Sequence, residues 1–154
     1  MTQAVPSRSG RMGLGWRVLA ALVLGYLTAG FCIFWVPYVP DAFAALDDTT
    51  GQAANLSLSF VIFAIVALAT LSAGPSRSAT FGRGLVASGV ILIAGPALLL
   101  LLRATNVARP DAMVLGDPWA NEWAIIMPVL IGCVAVWGLI LLLVGVLLLR
   151  RSRA

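Results

Sequence analysis

The stretch WAIIMPVLIGCVAVWGLILLLVGVLLL, residues 123–149, decides the fold because it has no charged residue from its first position to its last. A transmembrane helix needs about 20 predominantly apolar residues to cross a hydrocarbon core roughly 30 Å thick. This stretch exceeds that length, so a helix built from it must tilt or extend into the interface. Lipid cannot hydrogen-bond an open backbone, so the stretch predicts a membrane-spanning helix.

Three further apolar runs without charged residues occur at residues 18–36, 56–73 and 85–102. The 154-residue chain is 61% hydrophobic and only 10% charged, with a mean hydropathy of +1.02. This composition is far from that of an average soluble domain. We therefore predict an all-α integral membrane protein with four transmembrane helices in an antiparallel bundle. The predicted membrane domain covers residues 16–149, with spans at about 16–38, 56–74, 84–103 and 119–149.

The charged residues divide between the two ends of these helices and set the predicted orientation. All ten basic residues are arginines, and the eight on one side are Arg8, Arg11, Arg17, Arg77, Arg83, Arg150, Arg151 and Arg153. The other side has Arg103 and Arg109 with all six acids, which are Asp41, Asp47, Asp48, Asp111, Asp117 and Glu122. Cytoplasmic segments carry the excess of basic residues, so both termini are predicted to be cytoplasmic. Residues 1–15 are then a disordered cytoplasmic tail and residues 150–154 a basic cytoplasmic tail.

The amino-acid usage also indicates where the protein comes from. Alanine, leucine, valine, glycine and arginine are abundant while lysine is absent, which is typical of a GC-rich bacterial genome. Together with the orientation, this predicts a multi-pass protein of the bacterial cytoplasmic (inner) membrane. No soluble segment is long enough to build a basic surface for nucleic acid, so the predicted partners are the lipid bilayer and other membrane proteins or copies of itself.

Small residues recur at helical spacing in two of the predicted spans. In lipid, helices associate where small side chains allow the backbones to approach closely. The candidate packing residues are Ala21, Gly25 and Ala29 in the first span and Gly132, Ala135 and Gly138 in the fourth. In the third span, Gly95 and Pro96 predict a kink, because proline removes a backbone donor and crowds the preceding turn.

The stretch DPWANEWAIIMP, residues 117–128, predicts how the fourth helix enters the membrane. Asp117 is suited to cap the helix and Pro118 to its first position. Trp119 and Trp123 share one helix face at the depth where indole rings anchor in the headgroup region. On the same outer surface, Arg103 ends the third span and Glu122 begins the fourth. An interface or partner contact is therefore possible at Trp119, Glu122, Trp123 and Arg103.

The residues that familiar membrane chemistries require are missing from the sequence. The chain has no histidine for haem or metal ligation, and its two cysteines, Cys32 and Cys133, lie far apart in apolar runs. No acid, arginine, asparagine or glutamine lies near the centre of a predicted span, where proton relays and ion-coupled carriers need one. Away from their ends, the polar side chains of the spans are hydroxyl groups, which can bond back to their own helix. We expect no catalytic residue, cofactor or metal site.

These observations favour a protein that works by association, as an accessory, assembly or stabilising subunit of a larger membrane complex. One alternative is a homo-oligomeric transporter or channel for an apolar or neutral solute, with Gly95, Pro96 and the hydroxyls along its path. A further alternative is an outer-surface membrane enzyme that uses the outer acidic residues. An enzyme is the less favoured of these classes.

Overall fold

The computed structural model describes residues 12–32, 48–74, 76–104 and 120–152, and within them the protein is entirely helical. The helices are α1 (Leu14–Cys32), α2 (Asp48–Leu71), α3 (Arg77–Ala104) and α4 (Ala120–Arg151). Each contains a segment that is long and apolar enough to cross a membrane. The prediction of an all-helical protein with four candidate membrane spans is therefore confirmed. Residues 1–11 and 153–154 of the predicted tails lie outside the described residues.

The connection between α2 and α3 is held by hydroxyl groups. The Ser76 hydroxyl accepts a hydrogen bond from the Ala79 amide at 3.1 Å, which caps the first turn of α3. The side chain of Thr80 is fully buried, and its hydroxyl lies 3.1 Å from the Ser76 carbonyl oxygen and 3.3 Å from that of Gly74. Thr80 therefore ties the connecting segment back onto the start of α3.

Four glycines form the seam between α3 and α4, where the contact between helices is the most extensive in the described structure. A Cβ atom added to Gly89 would lie 2.6 Å from the Gly138 carbonyl oxygen, and one added to Gly145 would lie 2.9 Å from that of Gly82. Such distances to backbone atoms leave no room for a methyl group. The four residues, Gly82, Gly89, Gly138 and Gly145, are the glycine seam, and they allow the two backbones to touch.

The interior of the protein is small and draws one buried apolar residue from each helix. Cys32 of α1, Ile62 of α2, Leu92 of α3 and Val134 of α4 pack into one cluster. The helix α3 contacts all three of the others and is the most buried candidate span, with 39% of its window inside the molecule. Only 17% of the α4 window is buried. The helix α3 is thus the centre of the arrangement, and α4 lies at its margin.

The residues of the expected kink lie inside one long helix. Helix α3 runs from Arg77 to Ala104 through Pro96, and both Gly95 and Pro96 are buried. Proline supplies no amide hydrogen, so the carbonyl one turn earlier, at Leu92, receives no bond from it. The weakened turn therefore lies next to the apolar cluster.

Candidate functional site

The outer group of predicted contact residues falls mostly beyond what the structure describes. Trp119 lies outside the described residues, as do the side chains of Arg103, Glu122 and Trp123. By their backbones, Arg103 belongs to the last turn of α3, and Glu122 and Trp123 belong to the first turn of α4. The partner contact predicted for these four residues stays a prediction.

The small residues predicted in α1 lie against α2 or close to the core. Ala21 is buried, and Ala29 packs against the apolar cluster. A Cβ atom added to Gly25 would lie 2.8 Å from the ring of Phe63 and 3.1 Å from the Phe63 carbonyl oxygen. Gly25 thus allows α1 and α2 to approach at the position of an aromatic side chain.

The small residues predicted in α4 have different surroundings. Gly138 belongs to the glycine seam, where an added Cβ atom would lie 2.9 Å from the Leu92 side chain and 3.1 Å from the Gly89 carbonyl oxygen. Ala135 is half-buried. Gly132 is exposed, and a Cβ atom added there would meet no atom within 4 Å. The three residues therefore do not form one common packing face against another described helix.

Two buried hydroxyl groups form the polar link between α1 and α3. Thr28 Oγ1 lies 2.7 Å from Ser88 Oγ and 2.7 Å from the Leu24 carbonyl oxygen. Ser88 Oγ lies 2.9 Å from the Gly84 carbonyl oxygen. A hydroxyl donates one proton, so Thr28 can donate to Ser88 while Ser88 donates to Gly84. Both polar side chains then have partners without water.

Gly84 lies where three helices meet. A Cβ atom added to it would lie 2.5 Å from the Thr70 hydroxyl of α2 and 2.6 Å from the Leu24 side chain of α1. Thr70 is fully buried, and its hydroxyl donates to the Val66 carbonyl at 2.7 Å. Because Gly84 has no side chain, α1 and α2 can both pack closely against α3 at this position.

Two arginines bind the carbonyl groups at the C-terminal end of α2. Arg17 Nη2 donates to the Leu71 carbonyl and, at 2.5 Å, to the Ala73 carbonyl. Arg83 Nη1 donates to the Ser72 carbonyl at 2.8 Å. The last carbonyls of a helix lack partners within the helix and carry the negative end of its dipole. These arginines therefore link the first turn of α1 and the second turn of α3 to the end of α2.

A groove opens between the starts of α1 and α3, at the same end of the molecule. It has a volume of about 310 Å³ and is lined by Met12, Gly13, Trp16, Arg77 and Phe81. Met12 and Gly13 directly precede α1, and Trp16 lies in its first turn. Arg77 and Phe81 are four residues apart at the start of α3 and so lie on one side of that helix. The walls are mainly apolar, with one guanidinium group among them.

From the sequence, Arg17, Arg77 and Arg83 bore only on the orientation, and their places at the end of α2 and in the groove were not predicted. The other groove residues and the seam glycines Gly82 and Gly145 were not predicted as contacts either. For Gly82 and Gly145 a signal exists, since each lies seven residues from another glycine on its own helix, Gly89 and Gly138. Two turns of helix place such residues on one face. Which face meets which helix depends on tertiary packing and cannot be read from spacing alone.

The described residues contain no group of three or more histidine, cysteine, aspartate or glutamate side chains that could hold a metal ion. Cys32 is fully buried and Cys133 is exposed, and neither forms a disulfide. No protein-family model matches this chain, and no curated protein or solved structure matches it.

Proposed function

We propose that this protein is an accessory, assembly or stabilising subunit of a larger complex in a bacterial cytoplasmic membrane. In this proposal both termini are cytoplasmic and the four helices form an antiparallel bundle. The seam supports that packing, because Gly82 near the start of α3 lies beside Gly145 near the end of α4, while Gly89 lies beside Gly138. The arginines support the orientation through the positive-inside rule.

The observation that carries the proposal is the open apolar surface of α4, which packs closely on α3 but is the least buried of the four candidate spans. Its contact with the rest of the described protein is made mainly through α3, and most of its apolar surface is open. The residues Val129, Gly132, Val136, Ile140, Leu143 and Leu147 follow one another at helical spacing on the exposed side. We call these six residues the outer face of α4.

Gly132 distinguishes the outer face of α4 from a surface that only meets lipid. Glycine lowers helix propensity by about 1 kcal/mol relative to alanine in water, and acyl chains do not require a small residue. A neighbouring helix does benefit from one, because the backbones can then approach closely. An exposed glycine therefore supports contact with a second membrane protein, but Gly30 of α1 is exposed as well. We assign the contact to Gly132 because the α4 span is the least buried, and the experiment separates the two glycines.

The buried polar groups favour the subunit over a transporter. An internal path for solute needs groups that are free to exchange partners along it. Thr28 and Ser88 bond to each other, and Thr70 bonds to its own helix. These hydroxyls hold the helices together. An outer-surface enzyme would use the outer acids. Four of these lie outside the described residues, and the structure does not describe the side chains of the other two, Asp48 and Glu122.

The experiment compares Gly132→Leu with Gly30→Leu in a tagged chain expressed at its native level and extracted in mild detergent. Both glycines are exposed, with no described atom within 4 Å of an added Cβ, so both substitutions place the new side chain on the outside of the described helices. We expect a membrane protein to co-purify with the wild type and with Gly30→Leu, and to be lost from Gly132→Leu. Native gels and mass spectrometry of the purified sample give the readout.

Two outcomes would contradict the proposal. One is a chain that purifies alone under these conditions. The other is flux of a neutral solute into liposomes containing only the purified chain, which would establish the transporter alternative. If the partner stays bound to Gly132→Leu, the complex exists but the outer face of α4 is not its contact surface.

A further inference from the structure

The groove between the starts of α1 and α3 combines apolar walls with a cation that has no partner among the described residues. Trp16 is 66% exposed and Phe81 37% exposed, and Arg77 is exposed beside them. No hydrogen bond or ion pair joins Arg77 to another described residue. Arg17 and Arg83 differ from it, because their guanidinium groups already bind the carbonyls of α2.

The charge around the groove is positive throughout the described part of this end. Arg17 lies in the first turn of α1, and Arg77 and Arg83 lie in the first two turns of α3. Gly82 contacts Leu149, which brings the end of α4, with Arg150 and Arg151, to the same region. The only acids in the described helices, Asp48 and Glu122, are in the first turns of α2 and α4, at the opposite end. The described residues at this end therefore offer no anion to Arg77, and a complementary ligand carries a negative charge.

The groove lies where two of the candidate membrane spans begin. The candidate membrane spans of α1 and α3 begin at Leu14 and Arg77, so the residues that line the groove are at the boundary of the apolar segments. Tryptophan rings and arginine side chains are suited to this boundary, because one part of each is apolar and another is polar. A ligand there meets headgroup charge on one side and acyl chains on the other.

We propose that this groove binds one anionic phospholipid. Its phosphate pairs with Arg77, and its glycerol and upper acyl region lie against Trp16, Phe81 and Met12. Basic pockets between membrane helices on the cytoplasmic side are suited to such headgroups. The proposal does not depend on the subunit role, because the groove contains no residue of the outer face of α4; it rests on the cytoplasmic orientation given in the proposed function.

Gly13 offers a second variant that leaves the guanidinium of Arg77 in place. It lines the groove, and a Cβ atom added to it would meet no described atom within 4 Å. Gly13→Leu therefore adds apolar bulk at the lining of the groove, and its Cβ atom does not collide with the described protein.

The test is native mass spectrometry of the purified full chain in detergent with phosphatidylglycerol or phosphatidylcholine added at equal concentrations. We expect the wild type to retain phosphatidylglycerol more tightly than phosphatidylcholine. Removing one basic residue near a membrane surface is worth about five-fold in binding, so Arg77→Gln should raise the apparent Kd for phosphatidylglycerol about five-fold. Gly13→Leu should weaken binding at least as much. Arg77 makes no bond within the described protein, so its replacement leaves the fold intact.

Arg151→Gln is the matched control, because it removes one arginine from the same end but not from the groove. It should bind phosphatidylglycerol as the wild type does. The proposal is wrong if Arg77→Gln binds like the wild type, or if Arg151→Gln weakens binding equally, which would indicate diffuse charge. It is also wrong if millimolar inorganic phosphate displaces the lipid, because the groove would then be a site for free anions.

Discussion

Single glycines determine how closely the helices of this protein approach each other. At Gly89 the nearest atoms to an added Cβ are backbone atoms of α4, which cannot move aside as a flexible side chain can. At Gly132 no described atom lies within 4 Å of the same position. Two glycines within apolar runs thus differ in their tolerance for a methyl group, because only Gly89 faces a described partner helix at close distance.

We predict that Gly89→Ala lowers the free energy of unfolding by about 1–3 kcal/mol, since the methyl group would force α3 and α4 apart. Loss of helical circular dichroism during SDS titration of the purified protein measures this change. Gly132→Ala is the matched control and should be neutral or slightly stabilising, because alanine favours the helix. Equal stability of Gly89→Ala and the wild type would show that the seam is not a close contact.

Thr28 and Ser88 show what sequence can and cannot establish about a buried polar residue. The sequence predicts that such hydroxyls bond to their own helix, and both lie within bonding distance of a carbonyl one turn earlier. Their contact with each other, 60 positions apart in the chain, depends on how α1 packs against α3. Periodicity within one helix contains no information about that contact.

At the scale of elements, the end of α2 depends on residues from two other helices. The Ser72 amide bonds to the Leu68 carbonyl at 2.8 Å, whereas the next bond, from the Ala73 amide to the Thr70 carbonyl, is long at 3.4 Å. Beyond that point the carbonyls of Leu71, Ser72 and Ala73 rely on Arg17 and Arg83. The C-terminal cap of α2 is thus supplied by tertiary contacts.

We predict that Arg17→Gln loosens this end of α2 more than Arg83→Gln does, because Arg17 binds two carbonyls and Arg83 binds one. A loss of about 1–2 kcal/mol corresponds to roughly 5- to 30-fold faster amide exchange at Ser72 and Ala73. Hydrogen exchange of the detergent-solubilised protein measures it. Arg151→Gln should leave these amides unchanged, and equal exchange in Arg17→Gln and Arg151→Gln would contradict the capping role.

The existence of the four helices could be predicted from composition, whereas their ends and mutual contacts could not. A long uncharged run has one physical solution in lipid, so residues 123–149 predict a helix without knowledge of the rest. Helix α2 begins at Asp48, before the apolar run that starts at Leu56, because polar residues such as Gln52 and Asn55 can continue a helix beyond the hydrocarbon core. Hydropathy does not report such extensions.

At the scale of the whole molecule, the distribution of buried surface matters most. Between 17% and 39% of each candidate span is buried within the chain, so most apolar side chains face lipid or another protein. The arginines are concentrated at the end where α1 and α3 begin, together with the groove. One end is therefore suited to an anionic membrane surface, while the outer face of α4 is suited to association within the bilayer.

The most direct test of this account is a set of fusions to a reporter that is active only outside the cytoplasm, made after residues 41, 74, 111 and 154. In the proposed topology, four helices cross the membrane and the arginine-rich end is in the cytoplasm. This topology predicts active fusions after Asp41 and Asp111, and silent fusions after Gly74 and Ala154. Strong activity after Ala154, or uniform activity at all four positions, would contradict it.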